Sequence, residues 1–149
     1  MSNRLLEDAE ARRIARNEFG SPVVLRAGAG TGKTAALVAR VVSWVTGEGW
    51  SRSVSALDDS ADSSVIAGRT LQRLVAITFT EAASAEMADR IAAALHALGS
   101  GCAVTGMVLD ELHPDAARRA RILLPAVDQL EVRTIHAWCR NILVQNPLE

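Results

Sequence analysis

Lysine is nearly missing from this 149-residue chain: of sixteen basic side chains fifteen are arginine, and Lys33 alone is lysine. Cysteine is scarce as well. Cys102 and Cys139 stand far apart, which argues against a disulfide-stapled scaffold and for free thiols in a reducing cytoplasm. No apolar run approaches the roughly 20 residues that cross a bilayer, so no membrane partner is expected. The N-terminal stretch MSNRLLEDAEARR is polar and helix-forming and does not read as a signal peptide. Net charge is −1, so any attraction to nucleic acid has to come from local groups rather than from the overall field. With 49% hydrophobic and 22% charged residues the chain has ordinary globular composition, and its length suits one domain. The alanine richness and the arginine skew fit the coding bias of a GC-rich genome, which makes the one surviving lysine informative.

Apolar periodicity predicts a helix over residues 5–19, with Leu5, Leu6, Ala9, Ile14 and Ala15 near one face, broken at Gly20-Ser21-Pro22. Val23-Val24-Leu25 reads as a short buried strand, and residues 34–44 resume helical character. Residues 46–70 are rich in Gly, Ser and Asp and read as a flexible loop or insertion. A second strand is expected within 71–80, a strong helix over 81–98, and another helix start at His113-Pro114-Asp115. A third strand follows at 131–135 and a helix at 137–145. Strands alternating with helices indicate an α/β fold with a parallel sheet.

The chemistry concentrates between the first strand and its helix. Ala27, Gly28, Ala29, Gly30, Thr31, Gly32, Lys33 and Thr34 form a permissive Walker A octet, with alanine at 27 where the strict pattern has glycine. Glycines at 28, 30 and 32 let the backbone wrap a phosphate with its N–H groups inward, and the opening helix adds its positive end. Lys33 can reach the β- and γ-phosphates of ATP, and the Thr34 hydroxyl can ligate Mg2+. The bland alternative is a glycine turn that happens to carry a lysine. Average composition produces such an octet by chance in roughly 1% of chains this long, before the strand–turn–helix context is required. A guanidinium is too bulky to replace a compact ammonium in the cradle, which explains why arginine did not take over here.

Two further segments narrow the class. Residues 76–83 read Ala-Ile-Thr-Phe-Thr-Glu-Ala-Ala and run into Glu86, Met87, Arg90 and Ile91; residues 134–140 read Thr-Ile-His-Ala-Trp-Cys-Arg. Together with the octet they resemble the first three conserved segments of superfamily 1 helicases of the UvrD/Rep type, in the RecB and AddA branch, over nearly the whole chain. The resemblance implies an incomplete P-loop NTPase (RecA-like) parallel sheet flanked by helices, with residues 1–149 forming the N-terminal part of the first ATP-binding domain. It implies ATP and Mg2+ as cofactors and single-stranded DNA as a partner. Thr78, Phe79 and Thr80 match the segment that meets the DNA backbone and packs an aromatic on a base; Thr134 and His136 match the next, which touches phosphate or sugar. Hydroxyl and imidazole donors at strand ends suit phosphate oxygens, and one ring stacks without reading sequence.

Structural alternatives stand beside these roles. Phe79 and Trp138 could be core, His136 a helix cap, Glu86, Met87 and Arg90 a frame, and Arg118, Arg119 and Arg121 a solvated face. His136 and Cys139 have metal-ligand spacing but lack a second pair. Glu10 aligns loosely with the glutamine that reads adenine in UvrD-like members, and Arg26 stands where relatives prefer a neutral or acidic residue.

The family pattern continues with an acidic pair that holds Mg2+, and Asp110-Glu111 is too closely bracketed to supply it. The expectation is therefore an N-terminal piece of a larger ATP-dependent helicase or helicase–nuclease, inactive alone, whose partners are a nuclease subunit, single-stranded DNA and the rest of the helicase. An isolated piece is expected to expose an apolar sheet edge. The alternatives are a self-contained small P-loop protein or kinase, which needs a complete catalytic set, and a non-catalytic binding module.

Overall fold

The computed structural model describes residues 2–26, 28, 30, 32–58 and 60–145, with side chains from residue 8 onward. The core is helical. In α2 (Lys33–Thr46), Val38, Val41, Val42 and Val45 fall at the three-and-four spacing of one helix face and are all buried. They meet Met87, Ile91, Leu95 and Leu98, which share a face of α5 (Glu81–Gly99), and Ala116, Ala120 and Leu123 of α6 (Ala116–Leu123). Each large aliphatic side chain sealed in this cluster contributes about 1.5–3 kcal/mol relative to exposure. α1 (Ser2–Asn17) lies along α2 and contributes the buried Ala15.

The segment 46–70 is not a loop. It folds into α3 (Glu48–Ser55) and α4 (Ser63–Gln72), and Trp50, Ala67 and Leu71 go into the core. The residues that suggested a loop make these helices possible. Ser53 and Thr70 donate their hydroxyls to the carbonyls four residues earlier, at 2.9 and 2.7 Å, so they are buried without an orphaned donor. A Cβ at Gly49 would stand 2.5 Å from the Trp44 ring, so this glycine allows close packing rather than disorder. Asp62 caps α4, accepting from the Ser63 amide and the Ser64 hydroxyl at 2.7 Å each. Those bonds hold its carboxyl below the ordinary aspartate range.

Among the described residues the sheet has two parallel strands, β1 (Val75–Thr78) and β2 (Glu131–Thr134), which pair from Val75 with Glu131 to Thr78 with Thr134. Ala76 and Val132 point to the helical core, while Val75 and Ile77 are exposed on the other face. The strand expected at residues 23–25 does not form: this stretch has no regular structure, and Val24 is 83% exposed. A strand is held by a hydrogen-bonded neighbour, and neither β1 nor β2 pairs with it. α7 (Ile135–Gln145) follows β2 directly and has no fully buried residue. The result is an α/β fold that is mostly helical, with a small parallel sheet. No helix among the described residues is long and apolar enough to cross a membrane.

Candidate nucleotide and nucleic-acid sites

The glycine-rich turn ends at the head of α2. Gly30 and Gly32 adopt φ of 74° and 84°, a left-handed conformation that costs a side-chain-bearing residue about 1–2 kcal/mol. Gly32 is the N-cap and has no side chain to offer, so the first amides of α2 have no side-chain acceptor there. Lys33 is the first helical residue, and its ammonium folds back to donate to the Gly28 carbonyl at 2.9 Å. That bond holds the positive charge at the mouth of the turn. Thr34 is half-buried in the first turn of the same helix. Ala27, Ala29 and Thr31 of the octet lie outside the described residues.

A cleft of about 340 Å3 opens between this turn and α1, bounded by Gly28, Gly32, Lys33, Arg26, Asp8 and Arg12 together with alanines and Leu25. Three long-range contacts hold α1 in place to form its wall. Arg40 of α2 donates to the carbonyls of Ala15 and Glu18 at 2.7 Å each, with its guanidinium 4.8 Å from the centre of the Phe19 ring. Ser43 donates to the Asn17 side chain at 2.8 Å. Buried Arg16 donates to the Gly106 carbonyl at 2.8 Å and pairs with Glu111. Sequence reasoning missed Arg16 and Arg40, because partners as far as ninety-five residues away leave no local pattern. Glu10, expected near a base-reading position, is bound by Arg13 at 2.6 and 2.8 Å on the exposed face of α1. The Arg13 hydrogen bond holds its carboxyl below the ordinary range.

The second constellation sits at the carboxyl ends of the strands. Register places Thr78 beside Thr134; β1 passes through a two-residue turn into α5, and β2 passes directly into α7. The threonine hydroxyls tie down both strand-to-helix junctions. Thr78 donates to the Thr80 carbonyl at 3.0 Å or shares a 2.6 Å bond with the Ser84 hydroxyl. Thr80 caps α5 by accepting from the Ala83 amide at 3.1 Å. Thr134 is buried, donates to Glu81 at 3.1 Å and accepts from the Ala137 amide at 3.2 Å. Phe79 is 88% exposed and therefore not core, and His136 is exposed at the head of α7. Trp138 is half-buried.

The arginine run on α6 splits by role. Arg118 is exposed beside Asp115, whereas Arg119 is buried, donates to the Thr46 carbonyl at 2.8 Å and lies 5.7 Å from the centre of the Trp50 ring. Burial makes the Arg119 guanidinium easier to deprotonate than usual. Arg121 donates to the Gly99 carbonyl at 2.8 Å, so the face is largely structural.

Residues 8–149 match the family model of the UvrD/REP helicase N-terminal domain. An ATP-dependent helicase/nuclease subunit from Thermoanaerobacter sp. (strain X514) is 31% identical over 137 residues, which is 92% of this chain and 9% of that protein. The Moorella thermoacetica protein of the same name is 34% identical over 121 residues, 81% of this chain and 6% of its own. RecBCD enzyme subunit RecB of Escherichia coli (strain K12) is 32% identical over 136 residues, 85% of this chain and 10% of its own. The chain thus spans a tenth or less of the length of these relatives. No solved structure matches it. Three motifs in order, two of them at the carboxyl ends of paired strands, and the match over nearly the full length agree, and the chain belongs to the UvrD/REP helicase N-terminal domain family.

Proposed function

We propose that this chain is the ATP-binding segment of an ATP-dependent DNA helicase, or helicase–nuclease, that moves on single-stranded DNA in recombinational repair. The observation that carries this reading is the head of α2: two left-handed glycines, no side-chain cap, and Lys33 drawn back over the turn. Such a turn offers backbone N–H groups and a positive helix end to phosphate oxygens. In this reading residues 27–34 cradle the nucleotide and Lys33 meets its β- and γ-phosphates. The Thr34 hydroxyl would be the chain's own ligand to Mg2+, and that ion would screen the phosphate charge. Phe79 offers a ring for base stacking and His136 an imidazole donor for the DNA backbone. Thr78, Thr80 and Thr134 shape the two turns and reach the backbone only by exchanging bonds they already make.

The names of the relatives, RecB and an ATP-dependent helicase/nuclease subunit, support this assignment. The word subunit in both names also supports partners: a nuclease subunit and the rest of a larger helicase. In this reading they work in the cytoplasm. Phosphoryl transfer depends on charge stabilisation from several sides of the nucleotide, and the octet supplies one of them. The 149-residue chain is expected to bind nucleotide weakly without turning it over.

Titrations of a fluorescent ATP analogue and of a single-stranded oligonucleotide test this. Lys33→Ala should weaken ATP binding about tenfold or more and spare the oligonucleotide. Phe79→Ala should do the reverse, losing roughly fivefold or more in oligonucleotide affinity. ATP turnover by this chain that disappears in Lys33→Ala would refute the segment reading and favour a self-contained enzyme. Oligonucleotide binding without ATP binding would favour a non-catalytic module.

A further inference from the structure

The nucleotide reading uses Lys33 and the glycines and leaves one cation of the same cleft without a role. Arg26 is exposed, stands two residues before Gly28, and lines the cleft with Gly28, Gly32 and Lys33. Most arginines of this fold are committed elsewhere: Arg12 to Asp8, Arg13 to Glu10, Arg16 to Glu111, Arg40 to the carbonyls that end α1, and Arg119 to Thr46. Arg26 makes no hydrogen bond or ion pair among the described residues. The lining holds three cations (Arg12, Arg26 and Lys33) against one carboxylate, Asp8, which Arg12 already engages at 2.9 Å. Arg26 therefore adds positive charge to a wall whose one carboxylate is taken. Cations gathered around one small cleft are relieved by an anion placed among them.

We propose that Arg26 is a second phosphate-binding group, outside the 27–34 octet, whose planar fork takes two oxygens of a nucleoside di- or triphosphate while Lys33 acts as a point charge. The proposal rests on the reading of the glycine turn as a nucleotide site. It also gives a task to an arginine that the family pattern leaves unexplained. Residues 22–26 have no regular structure, so Arg26 stands on the connection between α1 and the glycine turn rather than on a paired strand.

The test uses the 149-residue chain with Arg26→Ala, Arg26→Lys and Lys33→Ala, titrated with fluorescent ATP, ADP and AMP at low and moderate salt. Arg26→Ala should weaken ATP and ADP about tenfold, weaken AMP less, and flatten the salt dependence of ATP binding. Arg26→Lys should recover part of the loss, since an ammonium restores charge without the fork. Thermal unfolding of Arg26→Ala should coincide with that of the parent, because the side chain is exposed. ATP binding by Arg26→Ala within about twofold of the parent, with Lys33→Ala impaired, would overturn the role of Arg26 and leave the nucleotide site standing. An equal loss for ATP, ADP and AMP would mark a distorted turn and also overturn it. If the parent and Lys33→Ala bind ATP alike, both readings fall.

Discussion

Two turns of this molecule look alike in sequence and differ in chemistry. Residues 75–81 and 23–33 each run from apolar residues through a polar turn into a helix. The first turn is self-sufficient: Thr80 satisfies an α5 amide with its own hydroxyl, and Thr78 ties back to Thr80 or Ser84. The second ends in Gly32, which caps α2 without a side chain and leaves its leading amides to other acceptors. A threonine cap engages a donor of its helix start with its own hydroxyl, whereas a glycine cap brings no side-chain acceptor. The strands differ for another reason, since β1 has β2 beside it and residues 23–25 have no strand partner among the described residues.

The sharpest way to break this contrast is Gly32→Ala. At φ of 84° a Cβ costs about 1–2 kcal/mol, so the melting temperature should fall and nucleotide binding should fall with it. Stability equal to the parent would mean that the turn does not hold this conformation. Thr80→Ala is expected to have a smaller effect, about 1 kcal/mol in urea unfolding, with nucleotide binding unchanged, because the cap it removes belongs to α5 and not to the glycine turn. Loss of nucleotide binding in Thr80→Ala would erase the distinction between the turns.

The smallest effect concerns a third helix start, where Asp62 is a titratable version of the Thr80 cap. Its carboxyl is held below the ordinary aspartate value near 3.9 by the bonds from Ser64 and Ser63. The stabilisation is therefore complete above that value and fades as pH falls through the lowered one. Asp62→Asn should lessen the acid sensitivity of α4, read as a flatter loss of helical signal between about pH 5 and 2.

Much of the candidate site was legible because its chemistry is local. The octet at 27–34 names its own turn, and the segments at 78–80 and 134–136 fall at strand ends that the structure places side by side. The arginines were harder to read: Arg119 looked like part of a solvated face and is buried against Thr46 and Trp50. Residues 46–70 misled for a related reason. Glycine and serine usually mark loops, but here glycine admits the Trp44 ring and serine hydroxyls return to their own helix. Those partners lie on neighbouring turns and elements, beyond what a composition window can see.

The sequence by itself determined the family, the glycine-rich motif at 27–34 and the helices with strong apolar periodicity, because each is carried by short runs of neighbouring residues. Tertiary structure alone decided which apolar run becomes a strand, since Val75–Thr78 pairs with Glu131–Thr134 while residues 23–25 have no such partner among the described residues. It also decided that α1 stands beside the glycine turn, through Arg16 and Arg40 reaching carbonyls on other elements. Those outcomes turn on hydrogen bonds between distant residues, whose donors and acceptors the order of amino acids does not pair.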